Sequence, residues 1–564
     1  MNIMRKLLIL AGPVALLCAS AAFAATGGTI SGTVTGPDGH PFRAAFIRVE
    51  NINTHMGMTV LSDKDGKFYT DKLTPGTYRV RATTLGYKND GASSADIAVE
   101  DGKDVPHNFT MQKTPVLWSQ LTMYQAGTLI PDGPGKGVFL QACFTCHAFS
   151  KIGAVGRRDQ DGWKDELDVM RQAKVYDTPP AVEKTVTEYL ASVLGPDSKT
   201  PASPALLPEY QKIKQERDYF SDDSLNAVYV DYDVTGVPTD RPGTGKPDKD
   251  GNIWLEIAGG TVKLDPETGK TTVYHLPDGS RNSIHEVLPT PDGSVWLTMQ
   301  NENELARLDM RTGKFDPVYG DQTQNAKYNL AKTIQKEPND PFPNLPKPEG
   351  DQNGLVRSHT AVIDHQGNIW ASGRPLKKFD TETKKFTFFY DVPDTYGIDV
   401  DQTGNVWFAE YNGKDHQEIG MIDVKTNQVT KYQPDGGFSP RRLKVDSKGN
   451  IWVGDYFGGK LWRFDPKTKA FKQFKIPGNM PTPYGVGVDH NDDIWYASMF
   501  QDIIGRLDPK TGKFTEYPTP YGEKHTRDLF EDKQGRIWYG IQPTFKVGYV
   551  RLRTNSSGSM AENR

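Results

Sequence analysis

Cysteine is scarce in this chain of 564 residues, which holds three: Cys18, Cys143 and Cys146. So few cysteines exclude a framework of several disulfides. Beyond the first residues, no apolar run is long enough to span a bilayer. No basic block or tail indicates nucleic acid or an anionic membrane as partner, and the formal net charge is −4. No flavin or nicotinamide fingerprint is present either, so a catalytic cofactor must be metal-based or come from a partner.

The first 24 residues have the pattern of a secretory signal peptide. Arg5 and Lys6 precede an apolar run, Leu7–Leu17, and small residues end at Ala24, where we expect cleavage. Cys18 lies inside the removed segment, and the mature chain then has 65 basic against 71 acidic residues. This pattern predicts a periplasmic protein without an integral membrane segment.

The two remaining cysteines belong to one motif, Cys143-Phe-Thr-Cys146-His147. A C-x-x-C-H run is the attachment signature of c-type haem. Two thiols at this spacing reach the two vinyl groups of one porphyrin, and the adjoining histidine meets the iron. The alternative is a disulfide between Cys143 and Cys146, which leaves His147 unexplained. The motif therefore predicts one covalent haem c.

Residues 27–112 carry short alternating strands separated by turns such as Pro37-Asp-Gly39. This spacing predicts a small β-sandwich. The run Leu73-Thr-Pro-Gly-Thr-Tyr78, with the strands around it, resembles the carboxypeptidase regulatory-like family. The resemblance implies an accessory domain that carries no chemistry.

Residues 115–196 change to a helical pattern around the haem motif. The segment resembles a mono-haem cytochrome c domain of the type C-x-x-C-H followed by G-W-x6-M, here Gly162, Trp163 and Met170. The resemblance implies a small all-α domain in which Met170 is the distal iron ligand opposite His147. Met123 is the rival ligand, and an ordinary core methionine is the alternative for Met170. Residues 197–220 are predicted to be a linker, since their first part is rich in proline and serine.

The rest of the chain is repetitive. Seven tryptophans each follow a turn and a short motif such as Gly-Asn-Ile-Trp, at spacings of 42, 74, 37, 45, 43 and 43 residues: Trp254, Trp296, Trp370, Trp407, Trp452, Trp495 and Trp538. A β-type period near 43 predicts a seven-bladed β-propeller over residues 221–554, with a flexible tail at 555–564. The long spacing reflects an insertion around 320–355. The strand-like run at 225–234 is expected to complete the last blade, and the repeated tryptophans to pack the blades. The fold class is thus multidomain and mainly β.

These repeats resemble the virginiamycin B lyase-like propeller family. The resemblance implies a metal-assisted elimination that needs a histidine eleven residues before a blade tryptophan and a glutamate three residues after it. The positions before the tryptophans are Gly243, His285, His359, Tyr396, Arg441, Tyr484 and Arg527; those after are Ile257, Met299, Gly373, Glu410, Asp455, Ser498 and Ile541. No blade holds both the histidine and the glutamate.

The positions before the tryptophans are still informative, because six of seven hold large polar side chains. We expect these to form a ring facing the channel, with a role in binding or proton transfer: His285, His359, Tyr396, Arg441, Tyr484 and Arg527, with Glu410 nearby. A wet channel that merely tolerates polar residues is the alternative. His285 and His359 could share a divalent metal, although two histidines alone are a weak signal.

Three functions remain open. The first is a periplasmic redox protein that passes electrons through one haem between a small molecule bound at the propeller and a partner protein or a quinone-linked chain. The second is a carbon–oxygen lyase with an appended haem domain. The third is a non-catalytic binding or sensing protein.

Overall fold

The structure is a computed structural model. It describes residues 27–91, 95–142, 156–172, 180–216, 220–234, 245–277, 284–299, 304–320, 357–392, 394–410, 417–520, 526–541 and 546–553. The predicted signal peptide, the haem motif, the 320–355 insertion beyond Gly320 and the predicted tail lie outside these residues. Within the described part of the chain, no helix is both long and apolar enough to cross a membrane.

The N-terminal unit is a β-sandwich-like domain. On strand β5 (Gly76–Thr84) the side chains of Tyr78, Val80 and Ala82 are buried, whereas those of Arg79 and Arg81 are exposed. This alternation is the pattern that places one face of a strand on a core. Its strands are β1 (Thr29–Thr35), β2 (Phe46–Asn51), β3 (Gly57–Leu61), β4 (Lys67–Tyr69), β5 (Gly76–Thr84), β6 (Tyr87–Asn89), β7 (Ala95–Val99), β8 (Asp104–Pro106) and β9 (Phe109–Lys113).

Helices follow the sandwich. They are α1 (Met123–Leu129), α2 (Lys136–Ala142), α3 (Gln160–Gln172), α4 (Pro180–Leu194) and α5 (Tyr210–Glu216), with 3-10 turns at Trp118–Gln120, Pro204–Leu206 and Asp222–Asn226. Thr122 caps α1, since its side chain accepts from the Gln125 backbone N–H at 3.1 Å. Helix α4 packs against both α2 and α3. We call residues 116–213 that share this packing the helical segment.

The stretch predicted as a linker, 197–220, is not an unfolded spacer where the structure describes it. Helix α5 lies within it, and Tyr210 and Ile213 are buried in the same apolar cluster as Trp163 and Leu190. The prediction weighed the prolines and serines of 195–204 and overlooked these two apolar side chains three residues apart, which face one side of a short helix.

The rest of the described chain forms seven antiparallel units, each called a blade here. Six are separate sheets of four strands, with a fifth short strand in the second, and the seventh is a four-stranded part of the large sheet that also contains sandwich strands. The innermost strands touch in order around a ring, and the last contacts the first, so the sheets close into a propeller. The strands of blades one to three are β11 (Lys246–Pro247), β12 (Ile253–Ile257), β13 (Gly260–Leu264), β14 (Thr271–His275); β15 (Ile284–Pro289), β16 (Ser294–Met299), β17 (Glu304–Asp309), β18 (Lys314–Phe315), with β19 (Tyr319–Gly320) also on β17; and β20 (Arg357–Ile363), β21 (Ile369–Arg374), β22 (Leu376–Asp380), β23 (Lys385–Phe389).

The remaining blades repeat the arrangement. Their strands are β24 (Thr395–Val400), β25 (Val406–Glu410), β26 (Glu418–Ile422), β27 (Val429–Tyr432); β28 (Pro440–Val445), β29 (Ile451–Asp455), β30 (Lys460–Asp465), β31 (Ala470–Lys475); β32 (Pro483–Val488), β33 (Ile494–Ser498), β34 (Ile503–Leu507), β35 (Phe514–Pro518); and β36 (Phe530–Glu531), β37 (Ile537–Ile541), β38 (Lys546–Leu552) with β10 (Ala227–Asp233). Strand β10, which begins the propeller, is thus the outermost strand of blade seven.

The repeated tryptophans pack between strands, each at most 3 % exposed. Each ring N–H also has a defined acceptor in six blades. An aspartate six residues earlier accepts from the tryptophan Nε1 at 2.7–2.9 Å: Asp248, Asp364, Asp401, Asp446, Asp489 and Asp532. The same carboxylates accept backbone N–H groups of the turn that joins the first and second strands. A buried indole N–H therefore has a partner, and one aspartate fixes both the turn and the tryptophan.

The sandwich and blade seven form one continuous sheet, because β10 pairs with β38 on one edge and with β3 on the other. Asp231 of β10 lies at this junction, buried to 1 % exposure. Its carboxylate accepts from Arg48 of the sandwich at 2.5 Å and from Lys546 of β38 at 2.9 Å. These two cations hold the pKa of Asp231 below its usual value against the opposing effect of burial. The outer edge of the last blade is therefore covered.

Candidate functional site

Five of the ring residues predicted from the repeat sit in β-bulges. The pairing of the first and second strands shifts register at Ile284/Glu286, Ser358/Ala361, Thr395/Ile398, Pro440/Leu443 and Pro483/Gly485. The residues within these shifts include His285, His359, Tyr396, Arg441 and Tyr484. A bulge re-aims a side chain out of the regular alternation, and bulges are common beside functional sites. Arg527 lies three residues before β36, at the corresponding place in blade seven.

The structure brings the six ring residues into one contiguous group. The ring centres of His285 and His359 lie 3.5 Å apart, and those of His359 and Tyr396 lie 4.2 Å apart. Tyr396 contacts Tyr484 edge to face at 5.6 Å. The Arg441 guanidinium lies 5.1 Å from the ring centre of Tyr396 and 5.8 Å from that of Tyr484, and the Arg527 guanidinium lies 5.9 Å from the latter. Each contact is within the range of stacking or cation–π attraction.

Glu410, expected near this ring, takes part in an ion pair on strand β25. Lys431 lies 2.8 Å from Glu410 and 2.8 Å from Glu418. Glu410 also accepts from the Asp394 backbone N–H at 3.4 Å. The equivalent residues Asp455 and Ser498 accept the corresponding backbone N–H, at 3.0 and 3.1 Å. In three blades, the side chain three residues after the tryptophan therefore stabilises the segment directly before the first strand.

A second layer of charge lies one residue further along the same strands, and the sequence reasoning missed it. Arg442 pairs with Asp528 at 3.1 Å and approaches Glu286 at 4.0 Å. Lys246 pairs with Glu286 at 2.7 Å. The Arg442 guanidinium also donates to the Thr360 hydroxyl. These side chains are buried and paired, so they form a charged layer next to the ring residues.

Glycine holds the same second-layer position in blades four and six. A Cβ on Gly397 would lie 2.6 Å from the Leu443 backbone nitrogen, so neighbouring inner strands approach too closely there for a side chain. The residue ten positions before each tryptophan could have revealed this layer. Depending on the blade, that residue is charged, a threonine or a glycine.

His359 is the most electrostatically perturbed member of the ring. Burial, and then the nearby His285, Arg442, Arg527 and Arg441, lower its pKa well below the usual histidine value. Its Nδ1 lies 3.0 Å from the Thr360 hydroxyl oxygen. His359 is therefore a neutral imidazole at neutral pH, in a region of positive potential.

The helical segment packs directly on this end of the channel. One apolar cluster contains Leu121, Met123 and Phe139 together with Tyr456, Tyr484, Met499 and Phe500 of the propeller. The Tyr124 backbone N–H donates to the Phe500 carbonyl oxygen at 2.8 Å. Tyr484 is 5 % exposed, whereas His285, Tyr396, Arg441 and Arg527 are half-buried. The helices therefore cover Tyr484, whereas four other ring side chains keep some accessible surface.

The predicted haem ligands are described only in part. Cys143, Cys146 and His147 lie outside the described residues, directly after helix α2. Met170 lies on helix α3, and only its backbone is described. The rival Met123 is buried in the apolar cluster. Trp163 is also buried, and its Nε1 has no hydrogen-bond partner among the described residues. A buried donor without an acceptor fits a neighbouring group that carries carboxylates.

The expected channel metal has no three-ligand group to hold it in the described part of the chain. His285 and His359 stack ring on ring, 35° from parallel.

Burial raises the pKa of several propeller carboxyls, which gives a pH prediction. Burial raises the pKa of Glu516 to about 7 against the opposing hydrogen bond from the Tyr496 hydroxyl at 2.9 Å. The folded chain then keeps a proton on Glu516 that the unfolded chain loses near pH 4.5, so the contribution of this group to stability falls as pH rises from about 4.5 to 7. We expect calorimetry to show a lower unfolding temperature at pH 8 than at pH 5.

Glu516→Gln should reduce this slope and stabilise the protein at pH 8 by at most about 3 kcal/mol, since one pKa unit corresponds to about 1.4 kcal/mol. Glu267→Gln, at an exposed position, is the control. An unchanged pH slope in Glu516→Gln would contradict this assignment.

Comparison with known proteins gives two matches to family models. Residues 29–112 match the carboxypeptidase regulatory-like domain, and residues 362–560 match the virginiamycin B lyase family. A search of curated proteins finds no match. Neither family match includes the helical segment.

Solved structures similar to the chain include a streptogramin B lyase, at 19 % identity and a TM-score of 0.47, over 59 % of this chain and 100 % of that one. Virginiamycin B lyase from Staphylococcus aureus is similar at 18 % identity and 0.46, over 58 % and 100 %. The extracellular domain of a hybrid two-component system from B. thetaiotaomicron is similar at 13 % and 0.43, over 58 % and 40 %. Likenesses at this level carry no argument about activity. The chain thus combines a carboxypeptidase regulatory-like domain at residues 29–112 with a β-propeller whose residues 362–560 match the virginiamycin B lyase family.

Proposed function

We propose that this protein is an exported mono-haem electron-transfer protein whose propeller binds a small molecule beside the haem module. The observation that carries the proposal is the shared cluster in which Tyr484 of the ring packs with the helical segment. Helix α2 of that segment ends at Ala142, immediately before Cys143. A group attached at Cys143 and Cys146 is therefore tethered to the module that covers the ring.

The residues available fit a c-type haem. Cys143 and Cys146 would hold it covalently, and His147 and Met170 would be the iron ligands. When bound, the haem supplies one-electron transfer at a potential that a thioether ligand raises. The Trp163 Nε1, buried without a partner among the described residues, would donate to a propionate carboxylate. The covering helices exclude water from this side of the ring.

The contacts of the ring favour this function over the lyase. An elimination of the family type needs a histidine and a glutamate together. Glu410 lies on a different blade from His285 and His359, and it forms an ion pair with Lys431. Blade six has Tyr484 and Ser498 at the two positions, and Ser498 donates to Gln501 at 2.7 Å. Sensing without turnover remains the third candidate, since the polar ring is suited to binding alone.

The remaining parts of the proposal follow from the haem. Maturation of a c-type haem from the C-x-x-C-H motif after export places the protein in the periplasm, as the signal peptide predicts. Electrons then leave through a redox partner protein or a quinone-linked chain.

The test is to record reduced-minus-oxidised spectra of the purified holoprotein while candidate small molecules and partner cytochromes are screened. We expect one compound to reduce the haem, and a Cys143→Ser/Cys146→Ser variant to bind that compound without passing electrons. Turnover of a compound with no electron acceptor would indicate the lyase. Tight binding without consumption or a change in haem oxidation state would indicate a sensor.

A further inference from the structure

Among the residues that the structure describes, the ring layer holds two arginines and no carboxylate at the same level. Its described members are two histidines, two tyrosines, Arg441 and Arg527. Both guanidinium carbons lie within 6 Å of the Tyr484 ring centre, at 5.8 and 5.9 Å. Two cations on one aromatic ring repel each other unless an anion lies nearby.

Four described carboxylates near the ring have partners outside it. Below it, Asp528 and Glu286 neutralise Arg442 and Lys246. To one side, Glu410 accepts from Lys431. Asp455 accepts from the Trp462 indole at 3.2 Å and from the Ser439 and Gly458 backbone N–H groups, both at 3.0 Å. The charge of the ring layer is therefore not balanced by these carboxylates.

Arg527 shows this imbalance most directly. Its Nε is buried and has no hydrogen-bond partner among the described residues. Its guanidinium contacts Tyr484 through the ring face. Burial lowers the pKa of His359, and the nearby His285 and three arginines lower it further. A guanidinium in such surroundings presents a planar fork of donors that matches a carboxylate.

The open side of the ring also has a shape. His285 and Tyr396 are half-buried and their rings pack against that of His359, so a group of three aromatic rings keeps part of its surface accessible beside the arginines. Planar walls favour an organic body that stacks against them.

We infer that the channel mouth binds a small organic carboxylate, with Arg527 and Arg441 on its charged end and the ring of imidazoles and phenols on its planar body. The inference deepens the proposed function by naming the ligand class, and it rests only on the proposed binding role of the ring. The ligand would lie next to Tyr484, and so next to the covering helices.

The experiment is isothermal titration calorimetry of the full-length holoprotein with benzoate at low ionic strength. We expect benzoate to bind, and its neutral isostere benzamide to bind at least tenfold more weakly. Arg527→Gln should weaken benzoate binding at least tenfold, since one charge-assisted contact is worth about that factor. Arg527→Lys, which keeps the charge and loses the fork, should fall between. Arg79→Gln, an exposed charge deletion in the sandwich, should leave the affinity unchanged.

Equal affinities for benzoate and benzamide, or unchanged benzoate affinity in Arg527→Gln, would overturn the inference. Inorganic phosphate bound as tightly as benzoate would overturn the assignment of an organic ligand. A calorimetric unfolding scan of each variant shows whether it is folded. If Arg527→Gln does not fold, Arg527→Lys keeps the test decisive. Haem reduction by a neutral compound without benzoate binding would retain the proposed function and discard this inference. Benzoate binding to a chain that never acquires haem would retain this inference and discard the proposed function.

Discussion

A Cys143→Ser/Cys146→Ser variant is expected to lose covalent haem completely. Both thioether bonds require these thiols, and no other cysteine remains after the predicted signal peptide. We expect the wild-type polypeptide, isolated after export with c-type haem maturation, to keep haem through denaturing electrophoresis and to have an intact mass larger by one haem. The variant should have neither property and no haem absorbance.

Met170→Ala is the matched control, because it leaves the attachment motif intact. It should keep covalent haem but lose the spectral signature of sulfur ligation, and its potential should fall. A wild-type mass lower by two hydrogens, with no haem, would instead establish the Cys143–Cys146 disulfide and remove the basis of the proposed function.

Asp231→Ala should be among the most destabilising single substitutions in the chain, by about 3 kcal/mol. The carboxylate is buried between Arg48 of the sandwich and Lys546 of the last blade, whose side chains are 11 % and 16 % exposed. Removing it leaves two largely buried cations at the junction, of which Arg48 keeps a carboxylate partner in Glu50 at 2.9 Å. Differential scanning calorimetry should show a lower unfolding temperature and, if blade seven opens, aggregation through its exposed edge.

Asp96→Ala removes a comparable carboxylate from an exposed pair with Arg79, 3.2 Å away, and should cost less than about 1 kcal/mol. Asp231→Asn keeps the volume and part of the hydrogen bonding and should lie between the two. If Asp231→Ala shifted unfolding no more than Asp96→Ala, the junction would contribute little to stability.

The repeat predicted most of the architecture, because each blade is specified locally. A turn, a buried tryptophan and alternating strands recur near a period of 43, and the structure confirms seven blades with β10 as the closing strand. What the repeat could not predict was the pairing of β10 with β3. That pairing joins two units through backbone hydrogen bonds and one buried aspartate, and backbone pairing leaves no periodic mark in a sequence.

The site was predicted by position but not by depth. Counting eleven residues back from each tryptophan located His285, His359 and Tyr396, which the structure places in contact. Arg442 lies ten residues before its tryptophan rather than eleven. The charged layer to which it belongs was not predicted, although it is more deeply buried than the ring. Spacing gives a residue's place along a strand, whereas burial and charge pairing depend on what neighbouring blades contribute. The haem ligands stay a prediction, since Cys143, Cys146 and His147 lie outside the described residues.

The order in which the chain is made gives the shared sheet a kinetic consequence. Asp231 and Lys546 are separated by 315 residues, so β10 is synthesised long before its partner strand β38. At roughly 5–20 residues per second, this interval lasts on the order of 15–60 seconds. Strand β3, only some 170 residues upstream, is available throughout. We therefore expect the sandwich to hold the first strand of the propeller in register on one edge until the last strand pairs on the other.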